Sequence, residues 1–348
     1  MQLTSNHWLK RPSKDQPEIH LNVQFDLCQV GSLKLLARNK IMRFSTLDTT
    51  QSFSSRRAPQ KHLRSFGLSQ NSPLNDWLAL SIGNSRLHWA WFTGTTLRHA
   101  WDTEHLDAFA IQRLIINQFN FHRCQLLDRS VPLPQWEDMP DLYVVSVVPH
   151  QTQFWQQYLR SQLITLAEIP LDDSYSTLGI DRAIGAWGST QITGSSALVI
   201  DCGTAMTFTG AIPHPEKLNR SKLVGGAIVP GLQVQLKSLG QFTAELPTLE
   251  TRDLQLPTRW ATNTNDAISS GVLYSIASSL NSYIQDWLTQ YPNSPIFLTG
   301  GDSSAICNLI AQYLPVLTPH LRLEPNLAFV SMAALRDLRS GSPPNSLS

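Results

Sequence analysis

The chain has 348 residues, 42% hydrophobic and 15% charged, enough for one large domain or two ordinary ones and too apolar for a disordered polymer. Its formal net charge of +1 hides an asymmetry, because residues 1–75 hold eleven Lys/Arg against four Asp/Glu and the remainder is mildly acidic, with no nucleic-acid footprint. Four scattered cysteines without a C-x-x-C pair argue against a disulfide framework and against zinc, and no apolar run approaches the ~20 residues of a membrane span, so the cytoplasm is expected.

Residues 1–75 are rich in Ser, Gln, Asn, Lys and Arg and have no sustained period, which predicts a basic, poorly ordered leader with at most weak helix or strand around Leu21–Leu36. Two readings stay open: a dispensable leader, with Met42 as another start, or a basic tail for acidic partners. From Trp77 the pattern changes. "WLALSI" is a short apolar run ending at Gly83-Asn84, a turn signal, and "RLHWAWF" follows as its partner strand. "TLRHAWD" predicts a third strand, and "LDAFAIQRLIINQF" spaces its apolar residues as a helix does. "DLYVVSVVP" is a Val-rich buried strand stopped by Pro149. "HQTQFWQQYLRSQL" then reads as a helix, "ITLAEI" as a strand, and "GIDRAIGAWGSTQI" as a helix entered at Gly179.

The second half restarts the programme. "ALVIDCGTAMTFTGA" is another strand–turn–strand, and "KLVGGAIVPG" a strand running into a Gly-Pro turn. "LQVQLKSLGQFTAEL" and "NTNDAISSGVLYSIASSLNSYIQDWLTQY" predict helices. "PIFLTGGDSSAICNLIAQYL" predicts a buried strand, a double-Gly turn and a helix, and "NLAFVSMAALRDL" a closing helix. Two α/β halves that each open on a strand pair around a Gly turn predict an internally duplicated fold. Its halves are residues 76–195 and 196–340, followed by a disordered tail at 341–348.

A strand, a tight Gly turn and a second strand make a natural phosphate cradle, since Gly lets the backbone approach the ligand and turn N–H groups point at anionic oxygens. In "SIGNSRLH" the donors are the backbone of Gly83–Ser85 and the Asn84 and Ser85 side chains; in "DCGTAMT" they are Gly203, Thr204 and Thr207. Either turn alone is more often a plain hairpin, but two at matching positions in two similar halves point to a shared anionic ligand. Asp181, beside Arg182, starts a helix. It reads either as a first-turn residue favoured by the macrodipole or as a carboxylate able to accept the proton of an attacking hydroxyl. Arg182 suits a substrate carboxylate through its planar fork. Asp201 ends a buried strand and needs a cation or hydrogen-bond donors there, unless it caps its own turn. No paired metal spacing occurs among the ten histidines.

The ordered set "IGNSR", "VSVVP", "YSTLGIDRAIGAWG", "VIDCGTAMT", "GGAIVPGL", "NTNDAISSG" and "LTGG" resembles type III pantothenate kinase, over about Trp77 to Leu338. The resemblance implies the actin-like, sugar-kinase superfamily of duplicated ribonuclease-H-like domains, with mixed sheets and flanking helices. It implies a homodimer that uses ATP, with Mg²⁺ on the nucleotide, to phosphorylate pantothenate at the first step of coenzyme A synthesis. Carried over residue by residue, Asp181 is the base, and Gly179, Ile180, Asp181 and Arg182 contact pantothenate, with Tyr175 on the substrate side. Thr264 meets pantothenate across the dimer interface. Ser81, Ile82, Gly83, Asn84, Ser85, Arg86, Leu87 and His88 span the first ATP motif, and Thr204 is a further ATP contact. Asp201 holds a monovalent cation, K⁺ or NH₄⁺, and Gly300–Gly301 approach adenosine.

One departure stands out. The family's first phosphate loop is Asp-x-Gly-Asn-Thr, and here it is Ser81-Ile82-Gly83-Asn84-Ser85. A hydroxyl for a hydroxyl at Ser85 is mild, whereas Ser81 removes a charge expected to help position Mg²⁺. Three readings are therefore weighed: an active pantothenate kinase, a non-catalytic regulatory or accessory relative, and a superfamily kinase for another small hydroxylated substrate.

Overall fold

The computed structural model describes residues 75–340 except 129, 135, 137 and 251–256. The leader with its weak elements around Leu21–Leu36, most of residues 1–75, and the tail at 341–348 lie outside the described residues.

The first sheet is laid down by β1 (Asp76–Ile82), β2 (Leu87–Thr93) and β3 (Thr96–Thr103), then β4 (Asp141–Ser146) and β5 (Ser161–Leu163). Helices α1 (Ala108–Ile116) and α2 (Pro149–Trp155) make the crossovers. The strand order is β3-β2-β1-β4-β5; β2 runs antiparallel to both β1 and β3, and β4 and β5 run parallel to β1. After a two-residue strand β6 (Leu171–Asp172) and helix α3 (Ile180–Thr193), the second sheet follows the same plan. It uses β7 (Ala197–Cys202), β8 (Ala205–Pro213), β9 (Ser221–Pro230), β10 (Ile296–Thr299) and β11 (Leu321–Leu323). Read from β9, its order β9-β8-β7-β10-β11 repeats the first sheet strand for strand and sense for sense, with β6 added parallel on the β9 edge. This is the ribonuclease-H-like arrangement twice over. Helices α4 (Leu232–Phe242) and α5 (Thr264–Gln290) join β9 to β10, α6 (Ser303–Tyr313) joins β10 to β11, and α7 (Leu327–Arg339) follows. The expected junction between residues 195 and 196 falls between α3 and β7.

Alternation along β1 explains how the sheets are covered. Leu78, Leu80 and Ile82 point to α1 and α2 with Leu87 and Trp89, while Trp77 and Ala79 point the other way with Ala90 and Phe92. That second face joins α3, α7 and Ala211 and Leu223 of the other sheet in one apolar cluster. A third cluster packs β7, β8 and β10 under α4, α5 and α6. The helices α3 and α7 cross so closely that a Cβ on Gly188 would overlap the Ser331 side chain. Among the described residues no helix is long and apolar enough to cross a membrane.

Two expected elements come out differently. The helix over "HQTQFWQQYLRSQL" stops at Trp155, and Ser161–Leu163 becomes β5, paired in parallel with Leu142–Val144. The strand over "ITLAEI" is instead a single 3₁₀ turn, Leu166–Glu168, closed by a capping box in which the Glu168 carboxylate accepts from the Thr165 backbone and hydroxyl. Pairing with a distant strand overrides local periodicity in the first case, and the box overrides β propensity in the second.

Candidate active site

The two Gly turns meet. The β1–β2 turn is closed by Gly83 N–H donating to the Arg86 carbonyl (3.0 Å), and the β7–β8 turn by Gly203 N–H donating to the Ala205 carbonyl (3.2 Å). Across the gap, the hydroxyls of Ser85 and Thr204 lie 2.9 Å apart, a contact between residues 119 positions apart in sequence. Gly231 N–H, at the start of α4, donates to the Thr204 carbonyl (2.9 Å) and fixes that turn from behind. Asn84, Ser85 and Thr204 are exposed, as ligand donors must be, whereas the side chains of Ile82 and Leu87 are buried in the core. Of the expected 81–88 stretch, those two can offer a nucleotide only backbone. Arg86 is turned to Glu104 at the surface (3.8 Å).

The first turn of α3 supplies the second group of residues. Gly179 is its N-cap, and the Asp181 carboxylate folds back over it, accepting from Arg182 N–H at 2.8 Å. A Cβ on Gly179 would come within 2.6 Å of Asp181 Oδ1. Arg182 is buried and carries three hydrogen bonds: Nε to Thr209 Oγ1 (3.0 Å), Nη1 to Tyr175 Oη (3.0 Å) and Nη2 to the Phe208 carbonyl (3.1 Å). A guanidinium has five N–H donors, so one on each Nη remains for a ligand. Tyr175 is itself half exposed, so its ring borders the opening. Gly226 makes this fit feasible: a Cβ there would collide with the Phe208 carbonyl and approach Arg182 Nη2 to 2.6 Å. Ile180 turns inward against the core shared by the two sheets.

Asp201 lies one residue before the end of β7, within electrostatic reach of Asp181 and His88. Burial is the main cause that pushes its carboxyl up to about 6, the nearby Asp181 carboxylate adds to it, and His88 opposes it. Its carboxylate accepts no hydrogen bond among the described residues, and Gly300, with φ of +85°, brings backbone against Oδ1 where a Cβ would overlap. A carboxylate lodged beside backbone without donors needs a cation or its own proton. No cluster of three or more His, Cys, Asp or Glu side chains that could hold a metal ion is present among the described residues.

Thr264 stands apart. It is exposed at the start of α5, capped by Asn263, whose Oδ1 accepts from Asp266 N–H (3.0 Å), and it makes no hydrogen bond to the other expected site residues. Neighbours that no local motif marks also steady the site. Asp102 holds His88 Nδ1 at 2.7 Å, and His105 Nε2 donates to the Gly83 carbonyl at 2.8 Å. Asp302, at the head of α6, donates its N–H to the Cys202 carbonyl (2.9 Å). The signals were present in "HAWDTEH" and "GGD", but only strand register brings them to the turns.

Comparison with known proteins gives the family. A family profile described as type III pantothenate kinase matches residues 77–286. A type III pantothenate kinase of Nostoc sp. is 42% identical over 266 residues, covering 75% of this chain and 94% of that protein. One of Synechocystis sp. is 38% identical and covers 76% and 92%. Among solved structures, a ROK hexokinase from Thermus thermophilus covers 75% of this chain and 98% of its own at 11% identity, with a TM-score of 0.39; that likeness is distant, and the fold assignment rests on the strand order. On its matched span and its identity to these relatives, the chain belongs to the type III pantothenate kinase family.

Proposed function

We infer that the protein transfers the γ-phosphoryl group of ATP to the primary hydroxyl of pantothenate, giving 4′-phosphopantothenate at the first step of coenzyme A synthesis. The observation that carries this reading is the placement of Asp181 and Arg182 on one helical turn, with Asp181 within electrostatic reach of Asp201 beside the Gly203 turn. The turns receive the phosphates through backbone N–H groups and the Asn84, Ser85 and Thr204 side chains. Arg182 takes the pantothenate carboxylate on its two remaining N–H groups, and Asp181 accepts the proton of the attacking hydroxyl. Positioning and charge neutralisation do most of the work in such transfers, with a correctly placed base adding roughly 10²–10⁴-fold.

Mg²⁺ enters with the nucleotide as part of the substrate, and Asp201 would hold K⁺ or NH₄⁺, which neutralises charge beside the phosphates. We place the protein in the cytoplasm, where ATP is available, and read it as a homodimer. The dimer reading draws on the exposed apolar side chains Val224 and Ile228 on β9 and Tyr283 on α5, and on Thr264, which could complete a partner's pantothenate site. The test is pantothenate-dependent ADP release by the full chain, with and without K⁺, and mass identification of the product. Wild-type protein that forms no 4′-phosphopantothenate would overturn the reading. Turnover with a different hydroxylated compound alone would reassign the substrate.

A further inference from the structure

The duplication supplies an internal comparison. In the second sheet, the row that crosses the strands just before the Gly turn is Asp201–Thr207–Ile228. The matching row in the first sheet is Ser81–His88–Asp102. Residues directly opposite in register share a face, and this face is the one whose inner part, Trp77, Ala79, Ala90 and Phe92, packs toward α3 and α7. At its outer end His88 lies within electrostatic reach of Asp201. One half keeps its carboxylate on the first strand. The other has a hydroxyl there, and its carboxylate lies two strands away, joined to the site through an imidazole.

The joint is well defined. A carboxylate only accepts, so His88 Nδ1 carries the proton it donates to Asp102 Oδ1 at 2.7 Å. In the neutral ring this leaves Nε2 as an acceptor. That atom lies under the phosphate turn, 3.5 Å from where a Cβ on Gly83 would be. The same stretch of chain also steadies the turn directly, through His105 Nε2 and the Gly83 carbonyl. Resting on the ATP reading above, we propose that His88, oriented by Asp102, is a positioning residue for magnesium-ATP whose Nε2 accepts a hydrogen bond from water on the nucleotide's Mg²⁺, in place of a carboxylate at position 81. Such outer partners are commonly worth 10–100-fold in metal affinity.

The test is calorimetric titration of the full chain with a non-hydrolysable ATP analogue, with and without Mg²⁺, with thermal unfolding as a check on folding. His88→Ala should weaken binding about tenfold in Mg²⁺ and hardly at all in its absence. Asp102→Asn should give a smaller loss of the same Mg²⁺-dependent kind. Ser81→Asp should recover most of the loss in the His88→Ala background and add little to wild type. Equal affinity in wild type and His88→Ala, a loss independent of Mg²⁺, or no recovery by Ser81→Asp overturns the proposal and leaves the kinase reading intact. If wild type itself binds no analogue, both fall. Should His88→Ala not fold, His88→Gln and Asp102→Asn carry the same comparison.

Discussion

Removing the charge at Asp201 should stabilise the protein, and the sign follows from burial. The carboxyl ordinarily titrates at 3.8 and here at about 6, because desolvation and Asp181 disfavour the ion. The folded chain thus holds this proton more tightly than the unfolded chain. Stability falls as pH rises between about 4 and about 6, and the penalty is complete above that. The gap corresponds to ~3 kcal/mol at 1.36 kcal/mol per pH unit, an upper figure since part of the side chain meets solvent. Asp201→Asn cannot ionise, so in buffer free of K⁺ and NH₄⁺ it should match wild type near pH 4 and exceed it at pH 8. With ~2–4 °C per kcal/mol for domains of 150–250 residues, the gain in Tm at pH 8 should be several degrees. Adding KCl should raise wild type toward the variant and leave the variant unmoved, because a ligand bound only by the folded state stabilises it. Thermal unfolding followed by circular dichroism reads all four conditions. A variant no more stable than wild type at pH 8 would refute the buried-charge argument, and one equally responsive to K⁺ would refute the cation assignment.

Asp181→Asn should lower kcat by roughly 10²–10⁴-fold with little change in KM for either substrate, measured by coupled ADP release. Arg182→Lys loses the fork and leaves the acceptors Thr209, Phe208 and Tyr175 short of donors, so KM for pantothenate should rise by ten-fold or more and stability should drop measurably. Tyr175→Phe removes only one of those partners, and its KM increase should be the smaller. Gly226→Ala, which sets a methyl against the Phe208 carbonyl and Arg182 Nη2, should cost a few kcal/mol in urea unfolding and reproduce the Arg182 phenotype in the folded fraction.

Much of this architecture was legible before any coordinates. The strand–turn–strand units at Asp76–Thr93 and Ala197–Pro213 announce themselves by apolar runs broken at Gly83 and Gly203, and Gly179 and Asn263 mark where α3 and α5 begin. Those signals are local, written within one turn of chain. The strands β5, β6 and β11 were missed or misplaced because each has two or three residues and exists only through a neighbour far along the chain. The same limit hid part of the site. His88 and Asp102 are fourteen positions apart, and only the antiparallel register of β2 and β3 makes them a pair. Likewise, nothing in "LGIDR" discloses that Arg182 turns inward onto Thr209 and the Phe208 carbonyl.

The close crossing of α3 and α7 makes α3, which carries Asp181, a lever. Its fulcrum is the contact of Gly188 with Ser331, and its short arm runs seven residues to Asp181, ~10 Å at 1.5 Å per residue. A tilt of about 6° at that fulcrum carries Asp181 by ~1 Å, a displacement able to cost ~10²-fold in rate where attack geometry is critical. A methyl group added at Gly188, remote from both substrates, would therefore be felt as a fault of chemistry more than of binding.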